Sequence, residues 1–190
     1  MKHVKHFLIL GLDAFGTALA RRLTENGCRV TGVDCCEAHV EQVKDEIYEA
    51  IVGDVADREA LAELHPENAT CVIVSLGKNI DASLLATLHA KELKTPRILA
   101  KAISQDHGKL LQKLDVERIV FPENEFAAHV ADRLTWPNVL DFLPLGSNYQ
   151  VVEIAVPQSL VGETLREADV RRKYHVAILA IKDAESEQPD

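Results

Sequence analysis

Short apolar runs separated by helical segments constrain the fold of this chain more than any other feature of its sequence. Six such runs occur, at residues 7–10, 29–33, 47–52, 71–76, 97–100 and 118–121. They are nearly continuous in apolar residues, which is typical of strands buried on both faces of a parallel sheet. Helical spacing between them, at 14–23, 38–45, 57–64, 81–93 and from a Ser104 cap to residue 114, predicts a doubly wound α/β sheet.

The last third of the chain has a different pattern. It predicts an amphipathic helix over 123–134, a linker at 143–148, a half-buried strand over 151–156, one or two short helices within 160–173 and a last strand over 176–181. The acidic tail 183–190 has no apolar anchor and is expected to be disordered. We therefore divide the chain into a sheet domain (1–121), a crossover helix with its linker (122–147), a partial small α+β domain (148–182) and the tail.

Charge and composition exclude several classes of protein. The formal net charge is −9, and an acidic surface repels the phosphates of nucleic acids. The sequence contains no run of 18 apolar residues, which argues against a membrane span, and its N-terminus lacks the pattern of a signal peptide. The four cysteines form no CxxC motif and read as reduced thiols, so we expect a cytosolic protein.

The loop after the first run carries the main chemical signal. It reads Gly11-Leu12-Asp13-Ala14-Phe15-Gly16, and so keeps the first and third glycines of the dinucleotide fingerprint G-x-G-x-x-G but has Asp13 at the second. A strand precedes it and a helix follows. Asp34 ends the second run, 18 residues past Gly16, which is the separation expected of a carboxylate that binds ribose hydroxyls.

Asp13 leaves two interpretations open. In the first, its carboxylate caps the helix from Ala14 and takes the N–H groups that a phosphate would otherwise use. In the second, the loop still binds a nucleotide, with Asp13 turned aside or neutralised by a divalent cation.

Other strand ends extend the predicted site, because ligands of such sheets bind at the carboxyl ends of the strands. Gly53, Asp54, Ser75, Leu76 and Gly77 follow the third and fourth runs; the alternative is that the glycines only form turns. Lys101 can approach a phosphate or pair with a carboxylate, and Glu123 can face the ligand or complement a helix dipole. Cys35, next to Asp34, lies at the expected ribose edge.

The order of these motifs along the chain resembles one known family. The matching segments are the 11–16 loop, Val33-Asp34, Gly53-Asp54, residues 73–79, Ala100-Lys101-Ala102, His107-Gly108-Lys109, residues 118–123, residues 139–142, and residues 165–181 with Arg171-Arg172-Lys173-Tyr174. Together they resemble the RCK (KTN, TrkA-N) family, the cytosolic regulatory subunits of Trk and Ktr potassium transporters, over residues 7–182.

The resemblance implies a Rossmann-like sheet, a crossover helix and a C-terminal regulatory domain. It implies dimers that assemble into an octameric ring at the inner face of the membrane, below a potassium channel or transporter. ATP, ADP or NAD(H) would bind the cleft and shift the shape of the ring. Asp34 would hold the ribose, Gly53, Asp54 and residues 75–77 would line the base, and Glu123 would approach the phosphates directly or through a cation.

The chain departs from the family pattern at two places. The family loop reads Gly-x-Gly-Arg-Phe-Gly, so Asp13 and Ala14 make this end of the site more negative by two charges. A unit charge at 4 Å contributes about 4 kcal/mol at an effective dielectric constant near 20, before screening. We therefore expect weakened nucleotide binding. The resemblance also covers only the first half of the small C-terminal domain.

Competing functions find less support in the residues. An NAD(P)-dependent oxidoreductase of the short-chain type needs a Tyr-x-x-x-Lys pair, but Tyr48, Tyr149 and Tyr174 are followed four residues later by other side chains. The eight histidines are scattered and form no HExxH motif, so no metal site is predicted. The thiols of Cys35 and Cys36 are expected to be structural rather than redox sensors. Together with the resemblance, these observations lead us to expect a regulatory subunit rather than an enzyme.

The helix predicted over 123–134 carries an apolar stripe at Phe126, Val130 and Leu134, with Ala127 and Ala131 beside it. Such a stripe must cover apolar surface. Its partner is either the chain's own sheet or a second subunit, and the resemblance favours the subunit.

Overall fold

The computed structural model describes residues 4–136, 139–144 and 149–182. Contacts divide the chain into two compact units, Met1–Ala127 and Ala128–Asp190. Each unit is described separately below. The predicted tail and residues 145–148 of the predicted linker lie outside the described residues.

The first unit is a parallel sheet of six strands in the order β3-β2-β1-β4-β5-β6. The strands are β1 His6–Leu10, β2 Arg29–Asp34, β3 Glu49–Val52, β4 Cys71–Val74, β5 Ile98–Lys101 and β6 Arg118–Val120. All five pairings between neighbours are parallel. The chain runs outward from β1 in both directions, so the strand order reverses between β1 and β4, where such sheets open a crevice for ligands. The predicted doubly wound sheet is confirmed.

Six helices follow these strands in turn. They are α1 Ala14–Glu25, α2 Glu37–Glu41, α3 Arg58–Glu63, α4 Ile80–Glu92, α5 Gln105–Lys113 and α6 Pro122–Thr135. Side chains cap four of their N-termini, from Asp13, Asp57, Asn79 and Ser104. These caps occupy N–H groups that the helix itself leaves without partners. Most predicted boundaries are shifted by one or two residues, whereas α2 stops four residues early, at Glu41.

Two apolar clusters explain why the strands read as continuous apolar runs. Leu8 and Leu10 of β1 belong to one cluster, with Ala86 and Ala90 of α4 and Leu111 of α5. Ile9, between them, belongs to the other cluster, with Ala20 of α1 and Val40 of α2. Successive side chains of a strand point to opposite faces, and here both faces are covered. The central strands of the sheet are therefore buried on both sides, whereas the edge strand β3 has no buried residue.

The second unit contains a two-stranded antiparallel ribbon, β7 Val139–Pro144 paired with β8 Gln150–Ile154. Two short helices follow, α7 Leu165–Ala168 and α8 Val170–Tyr174. The predicted linker at 143–148 is wrong at its start, because residues 143 and 144 belong to β7. Proline is tolerated at the edge of a ribbon, where it breaks no central ladder.

The last predicted strand, 176–181, is also wrong. These residues have no regular secondary structure, and His175 before them is in the left-handed conformation. An apolar run becomes a strand only where a neighbouring strand supplies hydrogen bonds. Within the part of the chain that the structure describes, none pairs with this segment.

Candidate functional site

A cleft of about 430 Å³ opens at the carboxyl ends of β1, β2, β3 and β4. Eight of the fourteen residues assigned from the sequence line it: Asp13, Asp34, Cys35, Gly53, Asp54, Ser75, Leu76 and Gly77. The other six lie outside the lining, as part of the loop framework or beside it: Gly11, Ala14, Phe15, Gly16, Lys101 and Glu123. The sheet topology thus brings residues from four separate segments to one edge.

Glycines shape the loop between β1 and α1. Gly11 has φ +100°, and a Cβ placed there would lie 2.0 Å from the carbonyl oxygen of Ser75. A Cβ on Gly16 would lie 2.1 Å from the carbonyl oxygen of Gly11. The first and third fingerprint glycines therefore allow the tight turn and the close packing of helix against strand that the motif predicts.

Asp13 is the N-cap of α1. Its Oδ1 accepts hydrogen bonds from the Gly16 N–H at 2.9 Å and from the Ser75 hydroxyl at 2.6 Å. Its Oδ2 accepts a hydrogen bond from Lys101 Nζ at 3.0 Å. The capping interpretation of Asp13 agrees with this geometry, in which the ammonium group of Lys101 faces the carboxylate.

Lys101 joins Asp13 to the start of α6. Its side chain is only 7% exposed, and its Nζ also lies 2.8 Å from Glu123 Oε1. Burial by itself would lower the pKa of Lys101, but hydrogen bonds to Glu123 and Asp13 outweigh burial and raise it. The bond from Lys101 lowers the pKa of Glu123. Of the two roles open to Lys101 in the sequence, the structure places it in pairing with carboxylates.

Asp34 is held by backbone N–H groups on both oxygens. The Leu12 N–H donates to its Oδ2 at 2.7 Å, and the Cys36 N–H donates to its Oδ1 at 2.8 Å. The Asp34 side chain is 11% exposed, and His39 Nδ1 lies 3.3 Å from its Oδ2. A fixed carboxylate whose oxygens retain free lone pairs can accept hydrogen bonds from a diol, which is the role that its spacing from Gly16 predicted.

The sequence assignment did not include six residues that also line the cleft: Cys36, His39, Val55, Lys78, Asn79 and Ala82. Asn79 caps α4 by accepting a hydrogen bond from the Ala82 N–H at 3.0 Å. Lys78 and Asn79 directly follow the assigned residues 75–77 in the same loop. Extending the assignment along this loop to the start of α4 would have found them. No feature of the sequence indicated His39, because the pattern of a short polar helix does not depend on whether a ligand binds beside it.

Among the described helices, none combines the length and the apolar character needed to cross a bilayer. Within residues 4–136, 139–144 and 149–182, no group of three or more metal-ligating side chains is arranged to hold an ion.

Comparisons with known proteins identify the family. A family model described as the TrkA-N domain matches residues 7–122. Over 178 residues, 94% of the chain, the sequence is 38% identical to the Ktr system potassium uptake protein C of Bacillus subtilis, covering 80% of that protein. Over the same share it is 33% identical to the Ktr system potassium uptake protein A of Vibrio alginolyticus, covering 81% of it.

Solved structures agree on the fold. The RCK domain of GsuK superposes with a TM-score of 0.64 at 21% identity, covering 93% of this chain and 39% of that one. The TrkA-N domain of the Escherichia coli inner membrane protein ybaL superposes with a TM-score of 0.61 at 18% identity, covering 70% of this chain and 99% of that one.

The named relatives belong to potassium uptake systems and none of these names denotes an enzyme. These names agree with the expected role in potassium transport. The family expected from the order of motifs is confirmed as well. On the match of residues 7–122 and the identity to the Ktr proteins, the chain belongs to the TrkA-N (RCK) family.

Proposed function

We propose that this chain is the cytosolic regulatory subunit of a potassium uptake system and responds to an adenine nucleotide in the cleft. The Ktr relatives support the transport role. Structures of GsuK with NAD and with ADP, and of the Shewanella denitrificans Kef domain with AMP, support an adenine-containing ligand. In this proposal residues 1–121 bind the ligand, 122–147 form the crossover helix and linker, and 148–182 form a partial regulatory domain.

The observation that carries the proposal is the position of Asp34. Its carboxylate ends β2 at the crevice beside the β1–α1 loop, fixed by the N–H groups of Leu12 and Cys36. Gly53 and Gly77 also line the cleft, and a Cβ on Gly77 would lie 3.8 Å from Asp13 Oδ2. A ribose bound to Asp34 would extend its 5′ end toward the Gly-rich loop, as in other dinucleotide-binding sheets.

The phosphate end of the cleft fits an anion poorly. Asp13 occupies an N–H group of the α1 N-terminus, and Ala14 supplies no positive charge. We propose that nucleotide affinity is weakened for this reason, and that Gly11, Ala14, Phe15, Gly16, Lys101 and Glu123 act through the shape and charge of the loop. A divalent cation between Glu123 and a phosphate remains the alternative that the titrations below include.

Regulation needs a partner on which the ligand-dependent shape can act. We propose that copies of the chain associate through α6 into dimers and an octameric ring, placed at the inner face of the membrane by a potassium channel or transporter subunit. Phe126 and Leu134 on α6 are 68% and 79% exposed, which supports a subunit contact. A ligand that prefers one shape of the ring shifts its population, and the ring transmits the shift to its partner.

Calorimetric titration of the full chain tests the ligand. ATP, ADP, AMP, NAD and NADH are each titrated with and without Mg²⁺ into the parent protein and into Asp13→Gly. Measurable binding to the parent, tightened at least tenfold in Asp13→Gly, is the expected result. Binding of AMP should fall at least tenfold for 2′,3′-dideoxy-AMP, because the bonds to Asp34 are lost. Micromolar binding of ATP to the parent would contradict the weakening, and no binding by either protein would contradict the proposal.

A further inference from the structure

We infer that the cleft takes an uncharged ribonucleoside in preference to its phosphorylated forms, because Asp13 already supplies an anion to the groups that a phosphate would use. The inference rests on the proposed function and names the ligand class of the same cleft. Three observations carry it: the use of the loop N–H groups, the charge around Lys101 and the charge of the cleft lining.

Four N–H groups of the loop and of the first turn of α1 are engaged within the protein. The Gly11 N–H donates to the carbonyl of Val33 at 2.8 Å, and the Leu12 N–H donates to Asp34. In the first turn of α1, the Gly16 N–H donates to the Asp13 carboxylate and the Thr17 N–H donates to the Asp13 carbonyl at 2.8 Å. A phosphate binds a helix N-terminus through N–H groups of the first turn, such as that of Gly16. It would have to displace Asp13 to reach the Gly16 N–H.

The cationic side chain beside the loop is balanced as well. Lys101 lies within 3.0 Å of both the Asp13 and the Glu123 carboxylates, so these three groups carry a net formal charge of −1. The hydroxyl of fully buried Ser75 also points its proton at Asp13. The side-chain donors beside Asp13, Lys101 Nζ and the Ser75 hydroxyl, therefore already hydrogen-bond to a carboxylate.

The lining of the cleft is acidic. Three of its lining residues are carboxylates, Asp13, Asp34 and Asp54, and one is a lysine, Lys78. Leaving His39 aside, the formal charge of the lining is −2. An added phosphate would therefore meet repulsion along the whole cleft. A 5′-hydroxyl, in contrast, can donate a hydrogen bond to a carboxylate such as Asp13, and the ribose diol can donate to Asp34.

Titration of the full chain with adenosine, AMP, ADP and ATP tests the inference, first in EDTA and then in Mg²⁺. In EDTA the parent should bind adenosine most tightly and ATP at least tenfold more weakly. Asp13→Asn keeps a capping oxygen but removes the charge, so it should narrow this difference at least fivefold while adenosine binding changes less than threefold. Asp57→Asn, the same change at the N-cap of α3 outside the cleft lining, should leave the ranking as in the parent.

The outcomes separate this inference from the proposed function. If the parent binds ATP more tightly than adenosine, in EDTA or only with Mg²⁺, the nucleoside preference is wrong while the nucleotide cleft stands. If the parent binds no adenosine but Asp13→Asn binds ATP, the preference is likewise wrong. If neither protein binds any of the four ligands, the proposed adenine site itself is wrong. Circular dichroism of each variant verifies that it is folded.

Discussion

Gly11 directly follows β1 and lies against the backbone of Ser75, which directly follows β4. Its φ of +100° is one that residues with a side chain rarely adopt, and the carbonyl of Ser75 fills the position of a Cβ. Gly27, after the end of α1, also has a positive φ (+77°), but a Cβ there would meet nothing within 4 Å. Gly27 is therefore required only for its positive φ, whereas Gly11 is required both for its positive φ and because a side chain would not fit.

Gly11→Ala should therefore lower the free energy of unfolding by more than about 3 kcal/mol, because it adds a backbone clash to the strain of the positive φ. Gly27→Ala should cost about 1 kcal/mol, from the strain alone. Urea unfolding of both variants measures the difference. Equal losses would mean that the loop moves away from Ser75 without cost.

At the residue scale, spacing predicted some of the site and geometry decided the rest. Asp34 could be assigned because the distance from Gly16 along the chain is fixed by one helix and one strand. The choice between the two roles of Lys101 could not be made from the sequence. The strand order places the end of β5 beside β4, at the edge of the cleft. Only the folded sheet shows that Asp13 and Lys101, which are 88 residues apart in the sequence, form a hydrogen bond.

At the scale of elements, α6 was predicted within one residue at each end, but periodicity alone could not identify what its apolar stripe contacts. No residue of α6 is buried in the single chain, and Phe126 and Val130 are exposed. Phe126, which belongs to the same unit as the sheet, is therefore not covered by that sheet. An exposed stripe of this kind is typical of a helix that packs on another protein.

Phe126→Asp should shift the protein toward the monomer, because it places a charge within the contact proposed for α6. Asn124→Asp adds the same charge at an exposed polar position of the same helix and should leave the assembly unchanged. Size-exclusion chromatography with light scattering measures the mass of each. A parent protein that is monomeric at every concentration would contradict the proposed ring, whatever the variants do.

The 176–181 segment shows why strands near the C-terminal end were predicted less well. A continuous apolar run such as Val176 to Ile181 favours a strand but does not supply its hydrogen-bonding neighbour. In the first unit each run has a neighbour, so the six strands followed directly from the runs. In the second unit the ribbon of β7 and β8 had to be found across a proline that suggested a linker.

At the scale of the whole molecule, stability below neutral pH depends on histidines enclosed by the fold. His107 is 2% exposed, its Nδ1 accepts a hydrogen bond from the Ile103 N–H, and its Nε2 has no partner within the described residues. Burial lowers the pKa of His107, and burial followed by the charge of Arg29 lowers that of His6. The folded protein therefore disfavours protonation of both rings.

This stability should be fully present above the pKa of an unfolded histidine, near 6.5, and should be lost as the pH falls through that value. The free energy of unfolding, measured in urea between pH 7.5 and 5.5, should decrease toward acid. In His107→Leu the decrease should be smaller, because the unfolded variant takes up one proton fewer. Parallel curves for parent and variant would show that His107 does not contribute.

One ammonium group, that of Lys101, is shared by two carboxylates that belong to distant stretches of the chain. Asp13 belongs to the rim of the crevice and Glu123 to the first turn of α6. A ligand that drew Asp13 away from Lys101 would leave the lysine paired with Glu123 alone. The side chain of Glu123 is 67% exposed to solvent. Under the proposed function, a ligand bound at the rim would therefore act electrostatically on the first turn of α6, without any strand of the sheet having to bend.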